Sequence, residues 1–149
     1  MNIYINTSAF LSIIFEEDNR KQTIAIWKKY QNKYSSNITE PECFNNLQKY
    51  RRLMNSPKKD EWYLQKIKIL EGLLEEINIR SFNRSITDIL KTNENLSYAK
   101  TLDSIHLATE LYYSYHIDQE IGIFSYDKNT NRVAMKLGLT PLVSEEESF

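Results

Sequence analysis

The sequence predicts an α/β protein, a three-layer α/β/α sandwich built on a mostly parallel, five-stranded sheet. Short apolar segments of strand type alternate along the chain with longer segments whose apolar residues recur at helical spacing. Only three Gly and three Pro occur in 149 residues, too few for the many tight turns of an all-β fold. Because the chain has one domain's length and neither a linker nor a repeat, we expect a single domain, residues 1–149.

The first half of the chain carries recognisable helix starts and stops. Asn6, Thr7 and Ser8 follow an apolar segment and favour a helix N-terminus. Thr39 is the predicted N-cap of a later helix that has Pro in its first turn and Glu42 at the capping-box position. The predicted elements of this half are strands at 2–5 and 34–38, a helix closed by the acidic residues 16–18, and helices at 19–32, 39–54 and 58–76.

The second half repeats the alternation. Thr101 is the predicted N-cap of a helix that has Asp103 in its first turn and ends near Tyr115. Gly138 is the predicted stop of a short helix that follows the fourth strand. The predicted elements here are strands at 77–82, 121–126 and 139–143, helices at 83–94, 101–115 and 128–137, and a frayed tail at 144–149.

Charge and cysteine content restrict the class of protein. The net charge of −1 gives the molecule no general positive field, so nucleic acid would have to bind through a local basic patch. The single cysteine, Cys43, excludes an internal disulfide and suits a reducing compartment as a small buried hydrophobe. The N-terminus has no basic leader and no apolar run approaches a span of about 18 residues. We therefore expect a cytoplasmic protein with no membrane segment.

Four oxygen-bearing side chains follow the predicted strand ends. Asn6 ends the first strand, Glu42 follows the second, Asp127 ends the fourth, and Asp103 opens the helix before it. In parallel sheets the carboxyl ends of the strands share one edge, where ligands bind. Clustered carboxylates repel one another unless a cation neutralises them, and an all-oxygen ligand set favours Mg²⁺ or Mn²⁺. Such an ion suits phosphodiester cleavage by water.

Four motifs together resemble the PIN-domain ribonucleases, and most closely the VapC toxins of bacterial toxin–antitoxin pairs. They are N-T-S-A at 6–9, S-N-I-T-E-P-E at 36–42, T-L-D-S-I-H-L-A at 101–108 and S-Y-D-K-N at 125–129, and the resemblance covers nearly the whole chain. It implies that Glu42, Asp103 and Asp127 are catalytic, metal-binding acids, with Ser8 and Ser125 shaping the site. It also implies a Mg²⁺- or Mn²⁺-dependent endoribonuclease toxin that cuts tRNA or another structured RNA and leaves a 5′-phosphate. The implied partners are a cognate VapB-like antitoxin and a second copy of the chain.

Position 6 departs from the family pattern, which has an acid where this chain has Asn6. The amide oxygen can ligate a cation but adds no negative charge, so we expect weaker metal binding and impaired activity. Two explanations are open. Asn6 is either a natural variant with lost or altered activity, or a deliberate near-isosteric replacement of an aspartate that would harm an expression host.

Simpler roles exist for each candidate residue. Glu42 could be only a capping-box residue, Asp103 a favourable charge at a helix N-terminus, and Asp127 a turn residue. Asp103, His106 and Glu110 share a helix face, which would also suit a transition-metal site. We expect instead that His106 is a buried, hydrogen-bonded histidine. For the metal site to be absent, the simple explanations for Glu42, Asp103 and Asp127 would all have to hold at the same sheet edge.

A basic cluster offers an RNA-binding patch near the end of the third helix. Lys49, Arg51 and Arg52 lie there with Tyr50, which could stack on a base. The alternative is a solvated helix face. Apolar residues of the early helices belong to the core, and some could form a groove for an antitoxin peptide.

The sequence is compatible with two functions of different classes. The first is the metal-dependent endoribonuclease, and the second is a catalytically inactive PIN-like module that binds RNA or protein with a natural Asn6. A metal-free ribonuclease is disfavoured because the chain has only two histidines, neither with an evident partner. A phospho-acceptor receiver domain lacks its acid pair after the first strand, where Asn6 and Thr7 stand.

Overall fold

A computed structural model describes residues 1–148, which form a five-stranded, all-parallel sheet between two layers of helices. Phe149 lies outside the described residues. The strands are β1 Asn2–Ile5, β2 Lys33–Ser36, β3 Asn78–Arg80, β4 Ile121–Phe124 and β5 Thr140–Pro141. They lie in the order β3-β2-β1-β4-β5, so the chain reverses its direction of travel through the sheet after β3. The register pairs Tyr4 of β1 with Tyr34 on one side and Ile123 on the other.

Seven α-helices connect these strands within the described residues. They are α1 Thr7–Ile14, α2 Arg20–Lys29, α3 Thr39–Leu53, α4 Lys59–Leu74, α5 Arg84–Thr92, α6 Thr101–His116 and α7 Lys128–Lys136. A 3-10 turn, Glu94–Tyr98, joins α5 to α6. Helices α1 to α4 cover one face of the sheet and α5 to α7 cover the other, which is the arrangement expected when every strand-to-strand connection crosses over a parallel sheet.

Strand β1 shows how the sheet divides the core into two. Successive side chains of a strand point to opposite faces, so Ile3 and Ile5 pack with α1 to α4 while Tyr4 packs with α6. All three side chains are fully buried. Burial of an isoleucine side chain stabilises the fold by about 1.5–3 kcal/mol. Because β1 buries side chains on both of its faces, it contributes to the packing of both helical layers.

The predicted fold class is confirmed, but the ends of several elements differ from the prediction. Strand β2 ends at Ser36 rather than 38, β3 covers 78–80 rather than 77–82, and β5 covers 140–141 rather than 139–143. The differences fall mainly on the outer strands, where only one neighbour defines the hydrogen-bonded segment. Gly138 ends α7 as predicted and adopts a φ of 78°, a left-handed conformation that favours glycine.

Both predicted threonine caps are wrong. Helix α3 already includes Thr39, and the Thr39 hydroxyl shares a 2.7 Å hydrogen bond with Ser35 instead of capping the helix. Helix α6 includes Thr101, and Lys100 precedes it without a side-chain cap. Asp103 nevertheless lies in the first turn of α6, as predicted. The buried Thr39 hydroxyl is thus bonded to a side chain of β2 four residues earlier, and not to the N-terminus of its own helix.

The tail is more regular than predicted. The 3-10 turn Glu145–Glu147 follows Ser144, and Ser144 and Glu147 form a capping box, so residues 145–147 are not simply frayed. Cys43 is a free, buried cysteine. Within residues 1–148, no helix combines the length and apolarity that crossing a membrane requires.

Candidate active site

The loop from β1 into α1 lies at the carboxyl edge of the sheet. Asn6 extends β1, and its backbone N–H donates to the carbonyl of Phe124 at the end of β4 (3.0 Å). Its side chain caps α1 because the amide oxygen accepts from the Ser8 N–H at 3.3 Å. The Asn6 side chain is buried, and its amide nitrogen has no hydrogen-bond partner among the described residues. A buried amide N–H₂ without an acceptor is rare and unfavourable.

Two serine hydroxyls join this loop to the end of β4. Ser8 Oγ accepts from the Tyr126 N–H at 2.9 Å, and Ser125 Oγ accepts from the Asp127 N–H at 3.1 Å. The two hydroxyl oxygens are 3.4 Å apart. Asp127 then caps α7 by accepting from the Thr130 N–H at 2.6 Å. Ser8 and Ser125 therefore fix the turn that carries Asp127.

Glu42 is held on the other side of the same loop. Its Oε1 accepts from the Thr7 hydroxyl at 2.9 Å and lies 2.6 Å from Nε2 of His106. The other ring nitrogen, Nδ1, is 2.7 Å from the hydroxyl of Tyr4. If the Tyr4 hydroxyl donates to Nδ1, then Nε2 carries the proton and donates to Glu42. Two donors thus occupy Oε1 and leave Oε2 of Glu42 available to another ligand.

The buried position of His106 confirms its predicted structural role. The side chain is fully buried, and it bridges β1 and α3 from the middle of α6. Glu110, one turn further along α6, is also fully buried, and neither of its carboxyl oxygens has a partner among the described residues. Burial raises the pKa of Glu110 well above its ordinary value. Both ring nitrogens of His106 are engaged with Tyr4 and Glu42, so the ring offers no free nitrogen to a transition metal shared with Asp103 and Glu110.

The pKa of Asp103 reflects its burial and the charges at this edge of the sheet. Burial is the largest cause that raises the pKa of the Asp103 carboxyl, and repulsion from Asp127 and then Glu42 raises it further. The His106 ring and the Lys100 ammonium oppose that rise. Asp103 is thus close enough to Asp127 and to Glu42 for each of them to disfavour its ionised form.

The three acids do not form a closed ligand cluster. Within residues 1–148, no three or more His, Cys, Asp and Glu side chains are grouped so that they could hold a metal ion. Position 6 adds an amide to this edge, and one oxygen of Glu42 is already bonded to Thr7 and His106.

The chemistry at position 6 fits a hard divalent cation once an acid stands there. An aspartate in place of Asn6 could keep the bond to the Ser8 N–H with one oxygen. Its second oxygen would take the place of the partnerless amide nitrogen and would need a cation or donor. Together with Asp103, Asp127 and Oε2 of Glu42 it would complete an all-oxygen set, which Mg²⁺ and Mn²⁺ prefer. With a cation bound, the loop around position 6 would therefore fit an acid better than an amide.

The predicted RNA-binding patch lies away from this edge. Arg51 is ion-paired with Asp60 at 2.7 Å and lies over the ring of Tyr63 at 4.6 Å. Lys49 and Arg52 are exposed. Since Glu42 begins α3 and these residues end it, about 10 Å of helix separates Lys49 from Glu42. The role of this patch in RNA binding stays a prediction.

Thr7 is the functional residue that the sequence reasoning missed. The hydroxyl donates to Glu42 across the site, and its only sequence signal is its place directly after the strand end. The capping-box role for Glu42 does not apply, because Thr39 is not the cap and Oε1 is turned to Thr7 and His106. Glu40, the neighbouring acid, is exposed.

Comparison with known proteins agrees with this geometry. The family model of the PIN domain matches residues 3–136, which include all of the candidate site residues. No curated protein matches the chain significantly. PIN domains are generally metal-dependent nucleases, a function that suits an oxygen-rich sheet edge. Because the match spans well over half of the chain, this protein belongs to the PIN domain family.

Proposed function

We propose that the fold is that of a VapC-like toxin, a metal-dependent endoribonuclease that cleaves cellular RNA by water attack on a phosphodiester. Asn6 impairs cleavage in this chain. The observation that carries the proposal is that the carboxyl of Asp103 lies within the field of two other acids, Asp127 and Glu42, while the buried amide nitrogen of Asn6 at the same sheet edge has no partner among the described residues. Carboxylates are held together against repulsion where a cation is to be bound.

Each residue of the site has a role in this proposal. Asp103, Asp127, Glu42 and position 6 would hold Mg²⁺ or Mn²⁺, which when bound neutralises phosphate charge and makes water a better nucleophile. Thr7 and His106 hold Glu42 so that Oε2 stays directed away from their donors. Ser8 and Ser125 hold the backbone that carries Asp127. Such supporting bonds orient a ligand before it binds.

The substrate and partners belong to the same proposal. The four motifs support tRNA or another structured RNA as substrate, a cognate VapB-like antitoxin and a homodimer in the cytoplasm. An antitoxin helix could use the apolar surface of α3 and α4, where Tyr50, Leu53 and Leu64 are exposed and Phe15 stacks beside Trp62. This support comes from the resemblance and from general chemistry.

The test compares this chain with Asn6→Asp on total cellular RNA in the presence of Mn²⁺ or Mg²⁺. We expect Asn6→Asp to cut, EDTA to stop it, and this chain to cut at least about tenfold more slowly, as for loss of a charge at a metal site. The matched control is Asn6→Asp combined with Asp127→Asn, which restores one acid while removing another. Cleavage that persists in this control or in EDTA would contradict the proposed mechanism.

A second function is favoured by one specific observation. The amide oxygen of Asn6 is already bonded to the Ser8 N–H, so the side chain is well used as a helix cap without a metal. A catalytically inactive module that retains RNA or protein binding would have this property. It would bind RNA or a partner peptide equally well with asparagine or aspartate at position 6, and neither form would cut.

A further inference from the structure

Helix α7 carries a basic stripe directly after the candidate site. Lys128, Arg132 and Lys136 are spaced by four residues, so they follow one side of the helix over about 12 Å. The stripe starts at the residue after Asp127. The Lys128 and Arg132 side chains are 42% and 54% exposed. We call these three residues the α7 stripe.

An anionic group of the chain itself is bound to this stripe. Glu145 Oε1 accepts from the guanidinium of Arg132 through Nε at 2.8 Å and also through a terminal nitrogen, and Lys128 Nζ is 3.8 Å away. Hydrogen bonding and charge from Arg132, with Lys128, lower the pKa of Glu145. The carboxylate therefore occupies the position that a phosphate oxygen would take on an arginine fork.

The turn that presents Glu145 is anchored at both of its ends. Val143 is buried before the turn, and the carboxylate of Glu147 accepts from the backbone and hydroxyl of Ser144 at 3.1 and 3.0 Å. Gln22 of α2 donates to Glu147 at 2.8 Å. Exposed ion pairs of this kind contribute only about 0–1 kcal/mol each, so a polyanion could displace Glu145 from the stripe without unfolding the protein.

An exposed aromatic ring flanks the other side of the stripe. Tyr98 is 61% exposed, and Lys136 Nζ lies 3.9 Å from the centre of its ring. Asn129 of α7 donates to the carbonyl of Tyr98 at 3.2 Å. The Tyr98 carbonyl is therefore held near the start of α7, close in sequence to Asp127, while its ring lies against the last cation of the stripe. Cations beside an exposed ring are the combination that binds single-stranded nucleic acid.

We propose that the α7 stripe and Tyr98 bind the backbone and a base of single-stranded RNA beside the acids, and that Glu145 competes with RNA for this surface. This inference rests on the proposed function, because RNA is the substrate class considered there. Displacement of Glu145 would expose two cations next to Asp127. The tail thereby limits access of RNA to Lys128 and Arg132 until a polyanion displaces Glu145.

The test measures the affinity for a short fluorescein-labelled oligouridine by fluorescence anisotropy, in EDTA so that no cleavage occurs. The first pair of variants is Glu145→Gln and its matched control Glu146→Gln. Both lose one negative charge from the same turn, but only Glu145 contacts the stripe. We expect Glu145→Gln to bind at least about threefold more tightly than the parent chain and Glu146→Gln to bind as the parent does.

The second pair removes three positive charges at different places. The stripe variant replaces Lys128, Arg132 and Lys136 by alanine, and its control makes the same change at three exposed lysines elsewhere. Those control positions are Lys21, Lys28 and Lys91. Each phosphate contact contributes about 0.7 to the slope of log affinity against log salt for single strands. Compared with Glu145→Gln, the stripe variant should have a slope smaller by about 2, so a fourfold rise in salt should weaken Glu145→Gln about twentyfold more.

The outcomes separate this inference from the proposed function. Tighter binding by Glu145→Gln and loss of binding only in the stripe variant support the surface. Equal binding by the stripe variant and its control, equal binding by Glu145→Gln and Glu146→Gln, or no RNA binding by any variant overturns it. Thermal unfolding verifies that each variant is folded. Cleavage by Asn6→Asp is a separate readout, so the nuclease can be confirmed while this surface is rejected.

Discussion

Glu110 offers the sharpest physical test of how α6 is built. Its carboxyl is fully buried against the sheet, and within residues 1–148 neither oxygen has a hydrogen-bond partner. Its pKa is raised well above 4.5 by burial. The pKa of Tyr4 is consistent with a buried Glu110 nearby. Burial is the main cause that raises the Tyr4 pKa, and the charge of Glu110 is the next. The folded protein therefore keeps Glu110 protonated at a pH where the unfolded chain ionises it.

The sign and size of the stability effect follow from this difference. Between the unfolded pKa near 4.5 and the raised folded pKa, the folded state binds more protons, so the free energy of unfolding falls as pH rises. The slope is about −1.4 kcal/mol per pH unit from this one group. Glu110→Gln cannot ionise and loses the slope. Glu110→Met should also gain about 1–3 kcal/mol at every pH, because it removes the partnerless oxygens.

Urea denaturation at about pH 5.5 and 6.5 measures both effects. The stability of Glu110→Gln relative to the parent should rise between these two values, by at most about 1.4 kcal/mol. The control, Glu71→Gln on the exposed face of α4, should show no such change. A stability difference that is the same at both pH values would refute the reasoning, as would destabilisation by Glu110→Met.

Two further predictions concern the acids and use Asn6→Asp as the background. His106→Leu should weaken Mn²⁺ binding about 10–100-fold, because Glu42 loses the 2.6 Å bond that orients it. His106→Gln can still donate to Glu42 and should retain most of the Mn²⁺ affinity. Calorimetric titration measures both affinities, and equal values for the two variants would contradict the positioning role of His106. Asp103→Asn removes the carboxyl that Asp127 repels, so in EDTA it should stabilise the fold by about 0.5–1 kcal/mol. Added Mn²⁺ should then no longer raise its thermal midpoint, and a midpoint that still rises would count against Asp103 as a ligand.

The fold was predictable because hydrophobic periodicity acts locally and each element carries its own signal. The buried strand 2–5 and the apolar face of α6 could be recognised without knowledge of their partners. The order of strand ends then brought Asn6, Asp127 and Glu42 to one edge, since parallel strands all end on the same side. The family resemblance added the prediction that these residues bind the catalytic metal.

Tertiary partners of polar side chains could not be predicted. Thr39 has the sequence signature of a cap, yet its hydroxyl bonds to Ser35 of the neighbouring strand. Thr7 looked like an ordinary residue of a helix start, yet it donates to Glu42. Thr7 and Glu42 are 35 residues apart, so their contact depends on how separate elements pack. Thr39 and Ser35 are close in sequence, and their bond was missed because the predicted second strand extended to residue 38. The contact of the tail with α7 belongs to the same class.

The affinity of this chain and of Asn6→Asp for Mn²⁺, determined by calorimetric titration, tests most directly whether position 6 and the three acids form one metal centre. We predict that Asn6→Asp binds Mn²⁺ at least about tenfold more tightly, because the added carboxylate completes the oxygen set. Asp127→Asn in the same background should abolish the gain. Equal affinities of this chain and Asn6→Asp, or a gain that survives Asp127→Asn, would contradict a shared metal centre at this edge of the sheet.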